Sequence, residues 1–342
     1  MQRGPADPVN ALVTGAAGFL GRYLVEQLVA QGACVRALVR HPNAELARLN
    51  IEVVQADLRD REAVAAACRN IDVVYHTAGV MGLWGSWRHF HQNNVLATEH
   101  LIRACRTEGV GRLVFTSSPS VTFDGGDQLG IDETAPYAHR WLCHYARSKA
   151  IAEQAVLAAN DGRLATCALR PHLVWGPRDP HLLPRLIARA KAGRLRRIGD
   201  GTNRIDVTYV ENAAEAHRLA AAALCPGSPV AGRAYFISQG EPVACGAWID
   251  ALLDAAGLPP VGRRVSFSAA RRWGAMLELL WSILPLRGEP PMTRFLAAEM
   301  AASHFFDIRR AETDFGYRPR ISTAEGLRRL AAWLSADPAT RS

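Results

Sequence analysis

Three glycines spaced three residues apart, Gly15, Gly18 and Gly21 in ALVTGAAGFLG, join an apolar strand-like run to a helix-like one. Gly15 allows a tight turn, Gly18 lets backbone approach a pyrophosphate, and Gly21 lets the helix close onto a sheet. Phe19 and Leu20 open that helix, whose free amide N–H groups and positive dipole end face the same anion. Short apolar runs alternate with helix-length stretches after it. Strands are expected at Asn10–Thr14, Cys34–Val39, Glu52–Gln55, Val73–His76 and Arg112–Thr116, with helices over 21–31, 62–67 and 94–107. A helix over 145–159 then precedes a strand at 164–169. Val-, Ile- and Leu-rich strands alternating with helices imply a parallel sheet covered on both faces, an α/β fold of the doubly wound Rossmann type.

From about residue 175 the pattern loosens into shorter elements and more proline. The expected division is a nucleotide-binding domain over 8–174, to which some later segments return. A smaller, discontinuous substrate-binding region is expected over 175–335. Of the 342 residues, 49% are hydrophobic and 21% charged, which excludes general disorder and coiled-coil architectures. No apolar stretch reaches the roughly 18–20 residues that cross a bilayer. The amino-terminal MQRGPADPVN has no apolar core, so a secretory leader is not expected. Seven scattered cysteines without metal-ligand spacing read as buried thiols of a cytoplasmic protein that binds no metal. The formal charge of +8 favours anionic partners. No nucleic-acid-reading motif accompanies it, so nucleic acid is not an expected partner.

Nucleotide-binding sheets that prefer an unphosphorylated ribose place an acid about 20 residues beyond the glycine loop. Here Val39 occupies that place, Arg40 follows, and Arg36 lies earlier on the strand. A guanidinium binds a 2′-phosphate that a carboxylate would repel, so NADP(H) is favoured over NAD(H). The bland alternative is a solvated strand-end arginine.

Tyr145 and Lys149 in YARSK stand four residues apart, on one face of a helix. A free tyrosine has a pKa near 10, too high for a base at neutral pH. A neighbouring ammonium would lower it toward the working range of a general acid–base. A hydroxyl to steady a carbonyl oxygen is available in LVFTSSPSV, from Ser117, Ser118 or Ser120.

These motifs, in this order, resemble the extended short-chain dehydrogenase/reductases, and from the glycine loop to Tyr317 the chain resembles their 3β-hydroxysteroid dehydrogenase-like family. The resemblance implies that Ser118 is the catalytic serine, beside Tyr145 and Lys149, and that Lys149 also holds the nicotinamide ribose. It implies that Asp57 and Leu58 contact the adenine and that Ala78 belongs to the cofactor-facing turn HTAG. Pro171 would lie near the nicotinamide, and NVLAT at 94–98 matches a family helix.

Segments such as WGSW at 84–87, TSSPSV at 116–121 and HLLPRLIARAKAGRLRRIGDGTN carry a closer likeness, to a bacterial branch of long-chain olefin biosynthesis. That likeness implies NADPH-dependent reduction of a long-chain 2-alkyl-3-oxoalkanoic acid to the 2-alkyl-3-hydroxyalkanoic acid. It also implies a homodimer working alongside a thiolase-like condensing enzyme and a β-lactone synthetase. Trp84 and Trp87 would give the substrate an apolar wall or simply pack under their loop. The apolar segment WGAMLELLWSILPL fits a core helix, a lipid-tunnel roof or peripheral membrane contact. Arg185 and Arg189, on one helical face, read as a solvated basic face rather than a site for a carboxylate or anionic lipid. Two rival readings are a 3β-hydroxysteroid or sterol dehydrogenase, decarboxylating or not, and a redox-silent NADP-binding regulator.

Overall fold

A computed structural model describes residues 8–284 and 286–336. Residues 1–7, read above as lacking an apolar leader, and Pro285 of the apolar segment lie outside the described residues.

Seven parallel strands form the central sheet. Their order is Arg233–Ile237, Ala165–Pro171, Arg112–Thr116, Val73–His76, Asn10–Thr14, Cys34–Val39 and Glu52–Gln55. The five strands expected from the amino-terminal sequence form as read, and the sixth runs Ala165–Pro171 rather than 164–169. Side chains alternate faces along each strand. Ala11 and Val13 therefore pack with Val35, Tyr75 and Val114 under helices Phe19–Ala30 and Val210–Ala223. Leu12 joins Leu38, Val74 and Phe115 on the other face, under Arg61–Cys68, Ala97–Glu108 and His144–Ala158. Each buried leucine or valine contributes about 1.5–3 kcal/mol relative to exposure. Asp60 caps Arg61–Cys68 by accepting from the amides of Glu62 and Ala63 at 3.1 Å.

Strand order reverses between Asn10–Thr14 and Val73–His76, which opens a crevice at their carboxyl ends. A second sheet has the order Val243–Ala244, Arg204–Ile205, His304–Phe306 and Gln128–Ile131. The two layers exchange chain: Gln128–Ile131 pairs with His304–Phe306, while Arg233–Ile237 returns to the edge of the large sheet.

Helix Phe267–Ile283 has an inverted polarity. Its one carboxylate, Glu278, is buried and pairs with Arg294 at 2.5 Å. Trp273, Met276, Leu279, Leu280 and Ile283 face solvent, Ile283 with 70% of its surface exposed. The basic stretch is exposed at Arg185, Lys191, Arg194 and Arg196, as expected, and two of its arginines also reach the segment after that helix. Arg185 pairs with Glu289 at 2.9 Å, and Arg189 donates to the Pro291 carbonyl at 2.8 Å, so both arginines hold the segment after that helix. Among the described residues, no helix is long and apolar enough to cross a membrane. All seven cysteines are free, but Cys34 and Cys225 are exposed, against the expectation of buried thiols.

Candidate active site

The glycine loop is a cradle that side chains would fill. Gly15 adopts φ +70°, and a Cβ there would lie 2.7 Å from the backbone of Ala78. A Cβ on Gly21 would run into the Gly15 carbonyl and sit 2.8 Å from the Thr77 hydroxyl. Gly18 caps helix Phe19–Ala30 with no side-chain cap, leaving the first amides of Phe19 and Leu20 without a side-chain acceptor.

Behind the cradle, a buried chain of hydrogen bonds fixes one tautomer of His76. The Thr98 hydroxyl donates its proton to the Asn94 carbonyl at 2.6 Å, so it accepts from His76 Nε2 at 2.9 Å. His76 Nδ1 is then the acceptor for the Thr14 hydroxyl at 2.8 Å. Burial pushes the His76 pKa down to about 3, so the ring is neutral. Asn94 sits in a π-helical turn, His91–Leu96, that aims its amide inward. The amide grips both backbone groups of Val80, at 2.8 and 3.0 Å, and donates to Ser148 at 2.9 Å. The loop after the fourth strand is thereby tied to helix His144–Ala158.

Ser118, Tyr145 and Lys149 meet at the carboxyl edge of the sheet. Ser118 accepts from the Ser120 hydroxyl at 2.9 Å and the Ser120 amide at 3.2 Å, which leaves its own proton to donate. Its hydrogen bond pulls the Tyr145 phenol downward, but burial outweighs it and raises that pKa to about 12. Ser117 is instead buried, its hydroxyl without a partner. Lys149 anchors on the strand end that precedes Ser118. Its ammonium donates to the Thr116 carbonyl and lies 4.1 Å above the Phe115 ring. Burial brings its own pKa down to about 7, opposed by Glu153 one turn along the helix. Glu153 is itself buried and held by Arg170 at 2.6 and 3.0 Å. The sequence reading missed both Glu153 and Asn94 as supports, although the four-residue spacing from Lys149 to Glu153 was visible.

The other expected residues divide. Arg40 borders a groove of about 420 Å³ with His41, Gln55, Ala56, Asp57 and Arg59. Arg59, not singled out in the sequence, clasps Asp57 at 2.7–3.1 Å and holds its carboxyl down at about 2. Arg36 turns away, bonding Glu52 at 2.7 Å and the carbonyls of Ala67 and Arg69. Leu58 is buried in the core, and its carbonyl accepts from His100. Pro171 ends its strand, buried. Trp87 packs between His91 and His144, with Arg147 4.3 Å above its ring, while Trp84 is half-buried in the same loop. That loop is anchored through the Leu83 amide, which donates to Glu289 at 2.9 Å.

An edge carrying a phenol, a free hydroxyl proton and a buried ammonium can exchange a proton with a carbonyl or alcohol oxygen. Known proteins bear on which reaction this serves. The 3-beta hydroxysteroid dehydrogenase/isomerase family profile matches residues 12–266. The chain is 50% identical to the 2-alkyl-3-oxoalkanoate reductase of Stenotrophomonas maltophilia, over 95% of this chain and 99% of that protein. It is 32% identical to the decarboxylating sterol-4-alpha-carboxylate 3-dehydrogenase of Mus musculus, over 93% of this chain and 88% of that one. Among solved structures it resembles MoeE5 in complex with UDP-glucose and NAD. That likeness has a TM-score of 0.73 at 28% identity, covering 96% of this chain and 99% of that one. On the sequence match and the shared fold, the chain is an oxidoreductase that belongs to the 3-beta hydroxysteroid dehydrogenase/isomerase family.

Proposed function

We propose that this protein reduces the ketone of a long-chain 2-alkyl-3-oxoalkanoic acid to the 2-alkyl-3-hydroxyalkanoic acid, using NADPH. The observation that carries the reading is the 50% identity to a reductase of that name along nearly the full length of both chains. The glycine cradle supports a nicotinamide dinucleotide: Gly15, Gly18 and Gly21, with the amides of Phe19 and Leu20, would hold its pyrophosphate. Asp57, Leu58 and Ala78 would border the adenine half, Lys149 and Pro171 the nicotinamide half. Arg40, with no acid in the place where NAD-preferring sheets carry one, supports the phosphorylated form.

When bound, the nicotinamide supplies the hydride that reduces the ketone carbon. Tyr145 delivers the proton to the oxygen, and Ser118 steadies that oxygen with its free O–H. Lys149 holds the helix face of Tyr145 against the serine-bearing strand. The substrate lies between the nucleotide domain, 8–174, and the substrate region, 175–335, with Trp84 and Trp87 on its apolar side.

The outward apolar face of helix Phe267–Ile283, flanked by exposed Arg271, Arg272 and Arg287, supports peripheral contact with an anionic membrane. A cytoplasmic homodimer working with a thiolase-like enzyme and a β-lactone synthetase in olefin biosynthesis belongs to the same proposal and rests on the same likeness. Oxidation of a 3β-hydroxysterol is the second reading, favoured by the mouse sterol relative at its lower identity. The test offers purified protein a 2-alkyl-3-hydroxyalkanoic acid or a 3β-hydroxysterol, each with NADP and NAD, and follows nicotinamide absorbance. Turnover confined to the hydroxy acid with NADP supports the proposal. Turnover of the sterol with NAD overturns it.

A further inference from the structure

Arg59 is a cation that the reading of the cofactor site leaves without a task. Near it, the carboxyl ends of strands Cys34–Val39 and Glu52–Gln55 are closed together. The Ala56 amide donates to the Val39 carbonyl at 2.9 Å, and Gln55 Nε2 donates to the Arg40 carbonyl at 3.2 Å. Beyond these bonds lies the groove of about 420 Å³. Arg40 and His41 line it from the end of the first of these strands, Asp57 and Arg59 from beyond the second. Asp57 is the one acid among its lining residues.

The two arginines of the groove are in different states. Arg40 is exposed, and among the described residues no ion pair or hydrogen bond engages its guanidinium. Arg59 is committed to a single carboxylate. Its Nε donates to the two Asp57 oxygens at 3.0 and 3.1 Å, and its Nη2 donates to Oδ2 at 2.7 Å. Its backbone amide donates to Oδ1 at 2.9 Å. Three donor groups of one residue thus surround the carboxylate, and the negative charge is balanced inside the groove. Without Arg59, Asp57 would stand unpaired in the same groove as Arg40. It would repel a phosphate there, as an acid at the end of the preceding strand does in NAD-preferring sheets, and it would compete for the Arg40 guanidinium.

We propose that Arg59 determines cofactor specificity by neutralising Asp57: it does not hold the 2′-phosphate, but keeps the groove's one carboxylate from repelling that phosphate and from capturing Arg40. The inference rests on the reading of the cofactor as NADP(H). It divides the work of the groove among three residues. Arg40 meets the phosphate, Asp57 borders the adenine, and Arg59 makes the second compatible with the first.

The experiment measures the Kd of NADP and of NAD by isothermal titration calorimetry, without substrate, for the wild type, Arg59→Ala, Asp57→Asn and the double variant. The readout is the ratio of Kd for NAD to Kd for NADP, in which effects on the parts common to both nucleotides cancel. The pair lies on the surface, with 51% of the Arg59 side chain exposed, and an exposed ion pair adds little to stability, so the variants keep the fold. Arg59→Ala lowers the ratio about five- to tenfold at low salt, the effect of one unpaired charge near a phosphate in a water-filled groove. The drop shrinks in about 0.5 M sodium chloride, which screens exposed charges. Asp57→Asn, whose side-chain oxygen still accepts from the Arg59 amide, holds the ratio at or above the wild-type value. The double variant has no carboxylate left to neutralise and returns to within about twofold of wild type, a non-additivity that marks the two residues as one unit. An unchanged ratio in Arg59→Ala overturns the inference. So does a double variant as low as Arg59→Ala, which would make Arg59 a direct ligand of the phosphate. A wild-type ratio near one would instead remove the NADP reading, and the inference with it.

Discussion

The Lys149 ammonium donates to the main-chain carbonyl of Thr116, two residues before Ser118, and so fastens the tyrosine-bearing helix to the serine-bearing strand. The Thr116 side chain is fixed from the opposite side, its hydroxyl donating to His217 Nε2 at 2.7 Å while His217 Nδ1 bonds the Ala213 carbonyl. Replacing Lys149 by Met removes both the tether and the charge. We expect kcat to fall by about 10²-fold or more, the scale of a lost acid–base or positioning group. Lys149 is protonated below about 7 and loses its charge as pH rises through that value. Any fall in wild-type kcat/KM around neutrality that stems from this ionisation should be missing from Lys149→Met. A pH–rate profile of both proteins with the hydroxy acid methyl ester checks this.

Neutral His76 makes the fold sensitive to acid. Its folded pKa, about 3, lies below the unfolded value of about 6.5, so the unfolded chain binds the proton more readily. The stability it contributes is present above pH 6.5 and is lost as pH falls from there toward 3. Between about pH 7.5 and about pH 5 this costs about 2 kcal/mol. His76→Ala should be less stable than wild type at pH 7.5, because Thr14 and Thr98 lose their partner. It should also lose about 2 kcal/mol less on moving to pH 5. Urea unfolding at both pH values gives the comparison.

Arg40 and Arg59 border the groove where the far end of the nucleotide would lie, but Arg59 is already committed to Asp57. Arg40→Asp should therefore lower the NADPH-to-NADH preference by about 10–100-fold, through loss of a charge-assisted contact and repulsion of a phosphate. An unchanged preference in steady-state kinetics would place the 2′-phosphate elsewhere.

The exposed face of helix Phe267–Ile283 should bind vesicles. Trp273 is 57% exposed and serves as its own reporter. Its fluorescence should shift to shorter wavelength with phosphatidylcholine vesicles containing phosphatidylglycerol, and less with phosphatidylcholine alone. Ile283→Glu should abolish co-flotation with either. A face that leaves the vesicles alone but drives concentration-dependent self-association would instead be covered by a second copy of the chain.

Much of the nucleotide half was legible because its determinants are local. Strand residues such as Ala11 to Val13 are buried on both faces and read as short apolar runs, and the glycines sit where a Cβ would collide. YARSK is a single helical turn, so the common face of Tyr145 and Lys149 follows from spacing alone. What escaped depends on contacts distant in sequence. The anchoring of Lys149 escaped because the Thr116 carbonyl that receives it lies on another element. Arg185 and Arg189 looked solvated because Glu289 and Pro291, which engage them, come about a hundred residues later. The outward apolar face of helix Phe267–Ile283 escaped because Arg294, on the next helix, draws Glu278 inward and leaves the apolar side chains outside.

The most direct test of the central claim follows the hydride. Freshly prepared 2-alkyl-3-oxoalkanoic acid would be reduced with NADPH deuterated at the transferable position, and the product examined by mass spectrometry. The account predicts a 2-alkyl-3-hydroxyalkanoic acid carrying one deuterium on C3, formed by the wild type and not by Tyr145→Phe. Recovery of unreduced acid from the wild type, or a reduced product with no deuterium on C3, would contradict it.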